Sequence, residues 1–199
     1  MKIFNLFKRK KRSIDFIKNN NLEEWWNNSF NEREKNRIVT ESAGLLSESS
    51  NRSTARTLYL MAGNVITKFY NQNPDVIIRI LNKGAELAED PVELFEIYSQ
   101  LIKLHSEREN EDGENSEQLI KLCKKQIDIS EDVLKILKEQ KDSGNKSGYP
   151  AHIGYQKLAS IKFREGNKEK ALNLINKAKR DNWKGNWDQM LSEFKTEQN

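Results

Sequence analysis

Cysteine is almost absent from this chain, because only Cys123 occurs among its 199 residues. A single thiol excludes an intramolecular disulfide and fits a reducing compartment, and we expect Cys123 to pack as a small hydrophobic residue in a helix. Proline and glycine are also scarce, at three and nine residues. All-β folds need a turn about every 8–12 residues, so this scarcity argues against them. No stretch approaches the ~20 apolar residues of a membrane-spanning helix.

Charge is abundant instead, at 32% of the residues against 36% hydrophobic residues. Such a load favours elements with one apolar face and argues against a doubly wound α/β enzyme, whose sheet is buried on both faces. Lys2 and the run 8–12 place six of the 34 basic residues before the first acid, Asp15. The other 28 basic residues nearly balance the 30 acidic ones. This near-neutral body argues against nucleic-acid binding, which would need a basic folded surface.

Apolar residues recur at three- and four-residue spacing along most of the chain, as in Leu58, Met61 and Val65. This period is typical of amphipathic helices with a wide apolar stripe. Clusters of polar and small residues predict loops at 109–116 and 141–148 and a tight turn at 166–167. We therefore predict an all-α fold of eight to ten helices.

Helix starts are marked by proline and by capping residues. Pro74, Pro91 and Pro150 each stand just ahead of an apolar-periodic stretch, and proline suits the first helical turn. Asn73 and Asp90 are the residue types that cap helices well. In addition, the pair Ser29 and Glu32 predicts a capped helix over about 30–45.

Residues 152–183 carry alternating large and small residues on two successive helices. The residues of this pattern are Tyr155, Leu158, Ala159, Gly166, Ala171, Ile175 and Ala178. The pattern resembles a tetratricopeptide repeat (TPR), in which small residues let two helices cross closely while large ones fill the adjoining grooves. Lys162 departs from the family, which prefers an aromatic residue there. Residues 54–89 and 91–129 match more weakly, at longer and less regular intervals.

The resemblance implies a stack of antiparallel helical hairpins, either a TPR-like right-handed solenoid or a compact helical array. One domain is expected over 13–199, with 152–183 as its clearest repeat. The segment 177–194 and the Trp25-Trp26 pair are also similar to bacterial TPR-like proteins. The Lys- and Asn-rich composition fits a bacterial or phage origin, and we expect a cytoplasmic location.

In TPR proteins the first helix of each pair lines a groove that holds a peptide or helix of a partner. On the repeat 152–183 this resemblance implies the partner-binding residues Ile153, Gln156, Ser160, Phe163 and Arg164. The family's clamp for a C-terminal carboxylate uses Lys and Asn at such positions, so Gln156 and Ser160 argue against chaperone-tail binding. Ordinary packing between hairpins is an equally good interpretation of the five residues.

Motifs for catalysis and metal binding are missing from the sequence. His105 and His152 have no ligand partner at metal-site spacing, and we expect both at the surface or at helix ends. The loop around Gly113 fails as a calcium site, because Arg108 and Leu119 would occupy ligand positions. There is no phosphate-binding loop and no nucleophile elbow. We predict no metal, no cofactor and no enzymatic activity, although sequence leaves open a pocket gathered from distant helices.

Residues 1–12 form a separate arm in which apolar residues precede a basic run. Its candidate membrane-binding residues are Phe4, Phe7, Lys8, Arg9, Lys10, Lys11 and Arg12. Aromatic rings that enter the bilayer interface and cations that meet anionic lipid are typical of a peripheral anchor. A disordered, solubilising tail is an equally good interpretation. The arm differs from a secretory signal, because its apolar stretch is short and precedes most of the charge.

Four tryptophans lie near the two ends of the chain: Trp25, Trp26, Trp183 and Trp187. They could anchor an interface, but we favour caps over the open ends of a helical stack. The leading hypothesis is a non-enzymatic protein–protein interaction module with an unidentified protein partner. The alternative is a peripheral membrane adaptor anchored by residues 1–12. Nucleic-acid binding through the arm ranks third.

Overall fold

The structure is a computed structural model, and it describes residues 15–42, 45, 52–69, 73–112, 116–142 and 149–196. Within these ranges every regular element is a helix, and one isolated bridge joins Ala151 to Lys184. The helices are α1 (15–19), α2 (Glu23–Ser29), α3 (Glu32–Ser42), α4 (Thr54–Phe69), α5 (Pro74–Leu87), α6 (Pro91–Asp112), α7 (Ser116–Asp128), α8 (Ser130–Asp142), α9 (Ile153–Arg164), α10 (Lys168–Arg180) and α11 (Trp187–Thr196). The predicted all-α helical array is confirmed, with eleven helices in the described residues against the eight to ten predicted.

The chain divides into two compact units, Met1–Glu93 and Leu94–Asn199. The prediction of a single domain over 13–199 stays a prediction. The membrane-binding candidates of the arm, Phe4 to Arg12, lie outside the described residues. So do 113–115 and 143–148 of the two predicted loops.

In the first unit, α4 packs against both α3 and α5. The apolar stripe predicted on α4 is buried, with Leu58 and Val65 fully inaccessible to solvent. On α5 the residues Ile77 and Ile80 are equally buried. Helix periodicity therefore located this core correctly.

The cap of α3 differs from the one predicted at Ser29 and Glu32. Asn31 Oδ1 accepts the Glu34 N–H at 2.9 Å, and Asn31 N–H donates to Glu34 Oε2 at 3.0 Å, which is a reciprocal capping box. Ser29 is instead the last residue of α2, and the extended, buried Phe30 separates the two helices. The predicted helix exists, but its cap lies two residues further along the chain.

The carboxylate of Glu34 also ties α3 to α5. Its Oε1 accepts hydrogen bonds from Arg79 Nη2 at 2.8 Å and from Asn73 Nδ2 at 3.1 Å, and Arg79 Nη1 donates to the Ser29 carbonyl. Because its side chain is engaged there, Asn73 makes no capping hydrogen bond to α5, contrary to prediction. Asp90 does cap α6, since its Oδ1 accepts the Val92 N–H at 2.7 Å.

In the second unit, α9 packs against α7 and α10, and α10 packs against α11. Helices α9 and α10 form the predicted hairpin. Gly166 makes its turn with φ +77°, a left-handed conformation that suits glycine, and Asn167 Oδ1 then caps α10 by accepting the Lys170 N–H. Gly154 begins the contact with α7: a Cβ there would lie 3.0 Å from the Cys123 carbonyl oxygen.

Two predictions for this unit are corrected. The loop predicted at 109–116 is shorter, because α6 continues to Asp112 and α7 begins at Ser116. His105, expected at the surface or a helix end, is 7% exposed and lies within α6. Cys123 is buried on α7, as expected of a small hydrophobic residue.

Candidate functional site

The five residues predicted to bind a partner lie on α9, and two of them meet the C-terminal part of the chain. Gln156 Nε2 donates to Asn186 Oδ1 at 2.9 Å, and the ring of Phe163 stacks on that of Phe194 with centroids 3.9 Å apart. The hydroxyl of Ser160 donates to the Gln156 carbonyl within the helix. Residues before and within α11 therefore cover part of the face that the resemblance assigned to a partner.

The remainder of this face opens into a pocket of about 360 Å³ between α9 and α11. We name it the α9/α11 pocket; its lining residues are Ser160, Phe163, Arg164, Lys168, Glu193 and Phe194. The stacked phenylalanines supply its apolar surface, and the Lys168 ammonium lies 5.5 Å from the centre of the Phe163 ring. Two cations face one carboxylate, so the lining carries a net positive charge.

Sequence reasoning found three of the six lining residues. Ile153 and Gln156 are half-buried on α9 but do not line the pocket. Lys168, Glu193 and Phe194 were missed, because they belong to α10 and α11 and no spacing in the sequence links them to α9. The stacked aromatic pair in particular joins residues of two separate helices.

The position of α11 is fixed mainly by its first half. Trp187 and Met190 are 6% and 4% exposed, and Trp187 Nε1–H donates to the Trp183 carbonyl at 2.7 Å. Asp188 pairs with Lys179 of α10 at 2.5 Å. Just before the helix, a Cβ on Gly185 would lie 2.4 Å from the Trp187 ring. The backbone at Gly185 therefore lies so close to the Trp187 ring that only glycine fits there.

The start of α9 is built on a buried histidine. His152 is fully buried, and its Nδ1 accepts the Tyr155 N–H at 3.2 Å, which caps the helix. The ring proton is then on Nε2, which donates to Ser130 Oγ at 2.8 Å. Burial lowers the pKa of His152 to about 3. His152 therefore lies at a helix end, one of the two positions predicted for it, and it is buried there.

Three aromatic rings surround His152. The centroid of its ring lies 5.0 Å from that of Phe95 and 4.8 Å from that of Trp183, both in edge-on geometry, and 4.4 Å from that of Tyr155. The rings of Phe95 and Trp183 stack on each other with centroids 5.2 Å apart. Trp183 is 2% exposed, so its indole is part of the core of this unit. We name these four residues the His152 cluster.

Gln126 links the His152 cluster to three helices, and sequence reasoning missed it. Its amide nitrogen donates to the Phe95 carbonyl at 3.1 Å and to Ser99 Oγ at 2.6 Å. Its amide oxygen accepts the Gly154 N–H at 2.7 Å. This buried amide therefore joins α6, α7 and the start of α9 through side-chain hydrogen bonds.

The titratable groups of the cluster are not tuned for proton transfer near neutral pH. The low pKa keeps His152 neutral, and burial, with the nearby acids Asp181 and Glu131, raises the pKa of Tyr155 to about 12. The buried Tyr155 hydroxyl has no hydrogen-bond partner among the described residues. Also within the described ranges, no group of three or more His, Cys, Asp or Glu side chains could hold a metal ion.

A second pocket, of about 550 Å³, lies in the first unit. Its charged lining residues are Glu89, Asp90 and Glu93, and Glu93 accepts a hydrogen bond from Ser53 Oγ at 2.6 Å. None of its lining residues was predicted to bind a partner. The α9/α11 pocket is therefore the candidate site.

The N-terminal tryptophans are placed differently from the C-terminal pair. Helix α2 buries none of its residues, and Trp25 and Trp26 are half-buried side by side, with ring centroids 6.1 Å apart. Both rings contact the buried Phe30, at 5.3 and 5.1 Å. Each ring therefore keeps part of its surface in contact with solvent.

Across the described ranges, no helix combines the length and apolarity that a bilayer crossing requires. Comparison of the chain with protein-family models, with curated proteins and with solved structures finds no match in any of the three. The resemblance to tetratricopeptide repeats therefore rests on sequence pattern, which is clearest in residues 152–183.

Proposed function

We propose that this protein is a non-enzymatic interaction module that binds a segment of a partner protein in the α9/α11 pocket. The observation that carries the proposal is the convergence of Ser160, Phe163 and Arg164, all predicted to bind a partner, on this one pocket. A TPR-like array of bacterial origin in the cytoplasm is the setting that the resemblance implies.

The lining of the pocket suits a peptide segment better than a reaction. An aromatic surface can bury an apolar side chain, while the few polar groups around it fix orientation. Arg164 and Lys168 belong to the lining and can pair with acidic groups of the segment. Aromatic and arginine side chains are also the types that dominate the binding energy of protein interfaces.

The direct test is selection from a random peptide library on the immobilised full-length protein. We expect selected peptides to bind with dissociation constants in the micromolar range, about −8 kcal/mol. Lys168→Glu should weaken them roughly tenfold or more, because it reverses a charge in the pocket. The matched control is Lys170→Glu, which makes the same change at an exposed position of α10 outside the pocket lining and should leave the affinity within about twofold.

The proposal fails if no peptide is selected, or if the selected peptides bind the Lys168→Glu and Phe163→Ala variants as tightly as the parent protein. Far-ultraviolet circular dichroism of each variant verifies that its helices are intact. A loss of affinity without a loss of helicity then assigns the effect to the pocket.

The alternative function is that of a peripheral membrane adaptor, and the exposed ring surfaces of Trp25 and Trp26 favour it. Tryptophan is enriched where proteins meet the bilayer interface. The pair lies a short distance along the sequence from the basic run Lys8–Arg12, whose cations would meet anionic lipid. The arm and the tryptophans would then form one membrane-binding surface.

Vesicle sedimentation tests this alternative. The full-length protein should pellet with phosphatidylcholine vesicles that contain phosphatidylserine, and a variant with serine at positions 8–12 should stay in the supernatant. Brominated lipids should quench Trp25 and Trp26 selectively, because Trp183 and Trp187 are buried. Equal pelleting with pure phosphatidylcholine, or no pelleting at all, would exclude the electrostatic anchor.

A further inference from the structure

Helix α11 already occupies part of the partner-binding face, and its own chemistry indicates what else would fit there. Its buried side chains are Trp187, Met190 and Phe194, spaced three and four residues apart on one face. Only Phe194 of these reaches the pocket, where it stacks nearly parallel to Phe163 at an interplanar angle of 5°. The site therefore contains an aromatic side chain delivered by a helix.

The second half of α11 is held more weakly than the first. After Met190, Phe194 is the only buried residue among the side chains that the structure describes, since Leu191 is half-buried and Ser192 and Glu193 are exposed. The attachments of the first half, through Trp187 and through Asp188 with Lys179, involve no residue that lines the pocket. The end of α11 therefore has fewer attachments in the structure than its beginning.

The α9/α11 pocket carries more positive than negative charge. The pocket lining contains the cations Arg164 and Lys168, and its one carboxylate is Glu193 of α11, which accepts a hydrogen bond from Gln189 Nε2 at 2.8 Å. A segment that replaced the end of α11 would meet the same cations. Acidic residues beside an aromatic one would consequently be favoured, and basic residues would be repelled.

We infer that the partner segment is a short acidic amphipathic helix whose aromatic side chain replaces Phe194 on Phe163, so that the end of α11 competes with the partner for the pocket. This inference rests on the proposed function and specifies its ligand. Partner binding is then opposed by an intramolecular competitor, whose tether gives it a high effective concentration.

The probe for the test is a fluorescein-labelled synthetic peptide of residues 183–199 of this chain, which contains α11. Its binding to the full-length protein is measured by fluorescence anisotropy. The Phe194→Ala variant should bind the peptide about tenfold or more tightly than the parent protein, because its own competitor is weakened. Adding Phe163→Ala to that variant should abolish the gain, since the peptide's phenylalanine then has no ring to stack on.

Two altered peptides serve as controls. Replacing Phe194 by alanine in the peptide, or Glu193 by lysine, should each weaken binding to the Phe194→Ala protein about tenfold or more. Equal affinity of the parent and Phe194→Ala proteins for the original peptide would overturn the inference. So would binding that survives Phe163→Ala. A dimer that light scattering detects in the parent protein but not in the Phe194→Ala variant would assign the face to a second copy and overturn it as well.

Failure of this inference can be separated from failure of the proposed function. If library peptides require Lys168 and Phe163 but are not displaced by the 183–199 peptide, the pocket binds partners of another pattern and only the inference fails. If no library peptide depends on the pocket residues, the proposed function itself fails.

Discussion

Acidification from pH 7 to pH 4 is expected to lower the free energy of unfolding by about 3 kcal/mol through His152 alone. The unfolded chain protonates this histidine near its ordinary pKa of 6.5, whereas burial lowers the pKa in the folded protein to about 3. Between these two values the unfolded state binds the extra proton. The contribution of neutral His152 to the free energy of unfolding is therefore fully present above pH 6.5. It is lost progressively as the pH falls toward 3.

The geometry explains why the folded state resists this proton. His152 Nδ1 is the acceptor of the Tyr155 N–H that caps α9, and a proton on Nδ1 would set two donors against each other. The ring is fully buried between Phe95 and Trp183, where a charge has no water to solvate it. Protonation thus removes a helix cap and charges an apolar site in one step.

Urea unfolding between pH 7 and pH 4 measures the effect, with His152→Asn as the control. Asparagine retains an oxygen that can cap a helix but does not titrate. The variant should be less stable at pH 7, and its stability should fall less steeply below pH 6.5. Parallel pH profiles for the two proteins would contradict the assignment, because carboxylates elsewhere would then account for all of the acid sensitivity.

The substitution Trp183→Ala is expected to cost about 4 kcal/mol of unfolding free energy. The indole is 2% exposed, stacks on Phe95 with an interplanar angle of 10° and contacts the edge of His152. Its removal leaves a cavity beside a histidine whose neutral form depends on the exclusion of water. Loss of the aromatic contacts adds to the loss of buried area.

Chemical denaturation of Trp183→Ala, compared with Trp25→Ala, tests this expectation. The control removes the same side chain from α2, which buries none of its residues, and should cost about 1.5 kcal/mol or less. Equal costs for the two variants would show that Trp183 does not have the packing role described for it. The Trp183→Ala protein should also show a raised pKa for His152 by NMR titration, because water would reach the ring.

The helices were predictable because their signals are local. Apolar spacing located the core of α4 and α5, and Pro74 and Pro91 are the first residues of their helices. The cap of α3 shows where such signals become ambiguous. Ser29 with Glu32 and Asn31 with Glu34 match the same capping pattern, and burial of Phe30 between them favours the second pair.

The polar interior could not be predicted from the sequence. Gln126 and Ser130 look like ordinary polar residues at the edge of an apolar stripe, because their partners lie more than 20 residues away in the chain. His152 was expected at the surface or at a helix end, and its burial among aromatic rings was missed for the same reason. A buried polar group is stable only when distant elements supply its hydrogen bonds, and periodicity does not report these pairings.

The candidate site was predictable on one helix only. The resemblance to a helical repeat selected α9 and its residues Ser160, Phe163 and Arg164. The opposing wall, Glu193 and Phe194, depends on where α11 packs after Gly185. That path is set by a close backbone approach to Trp187 and not by any repeating pattern.

The bridge between Ala151 and Lys184 affects how this unit could change length. His152 N–H donates to the Lys184 carbonyl at 3.1 Å, so the chain leaves the α9–α10 hairpin beside the point where it entered. A segment with adjacent ends can be duplicated, exchanged or excised with only local rejoining of the backbone. Positions 151 and 184 are consequently suitable insertion points for an additional helical hairpin, because the backbone on either side could keep its present path.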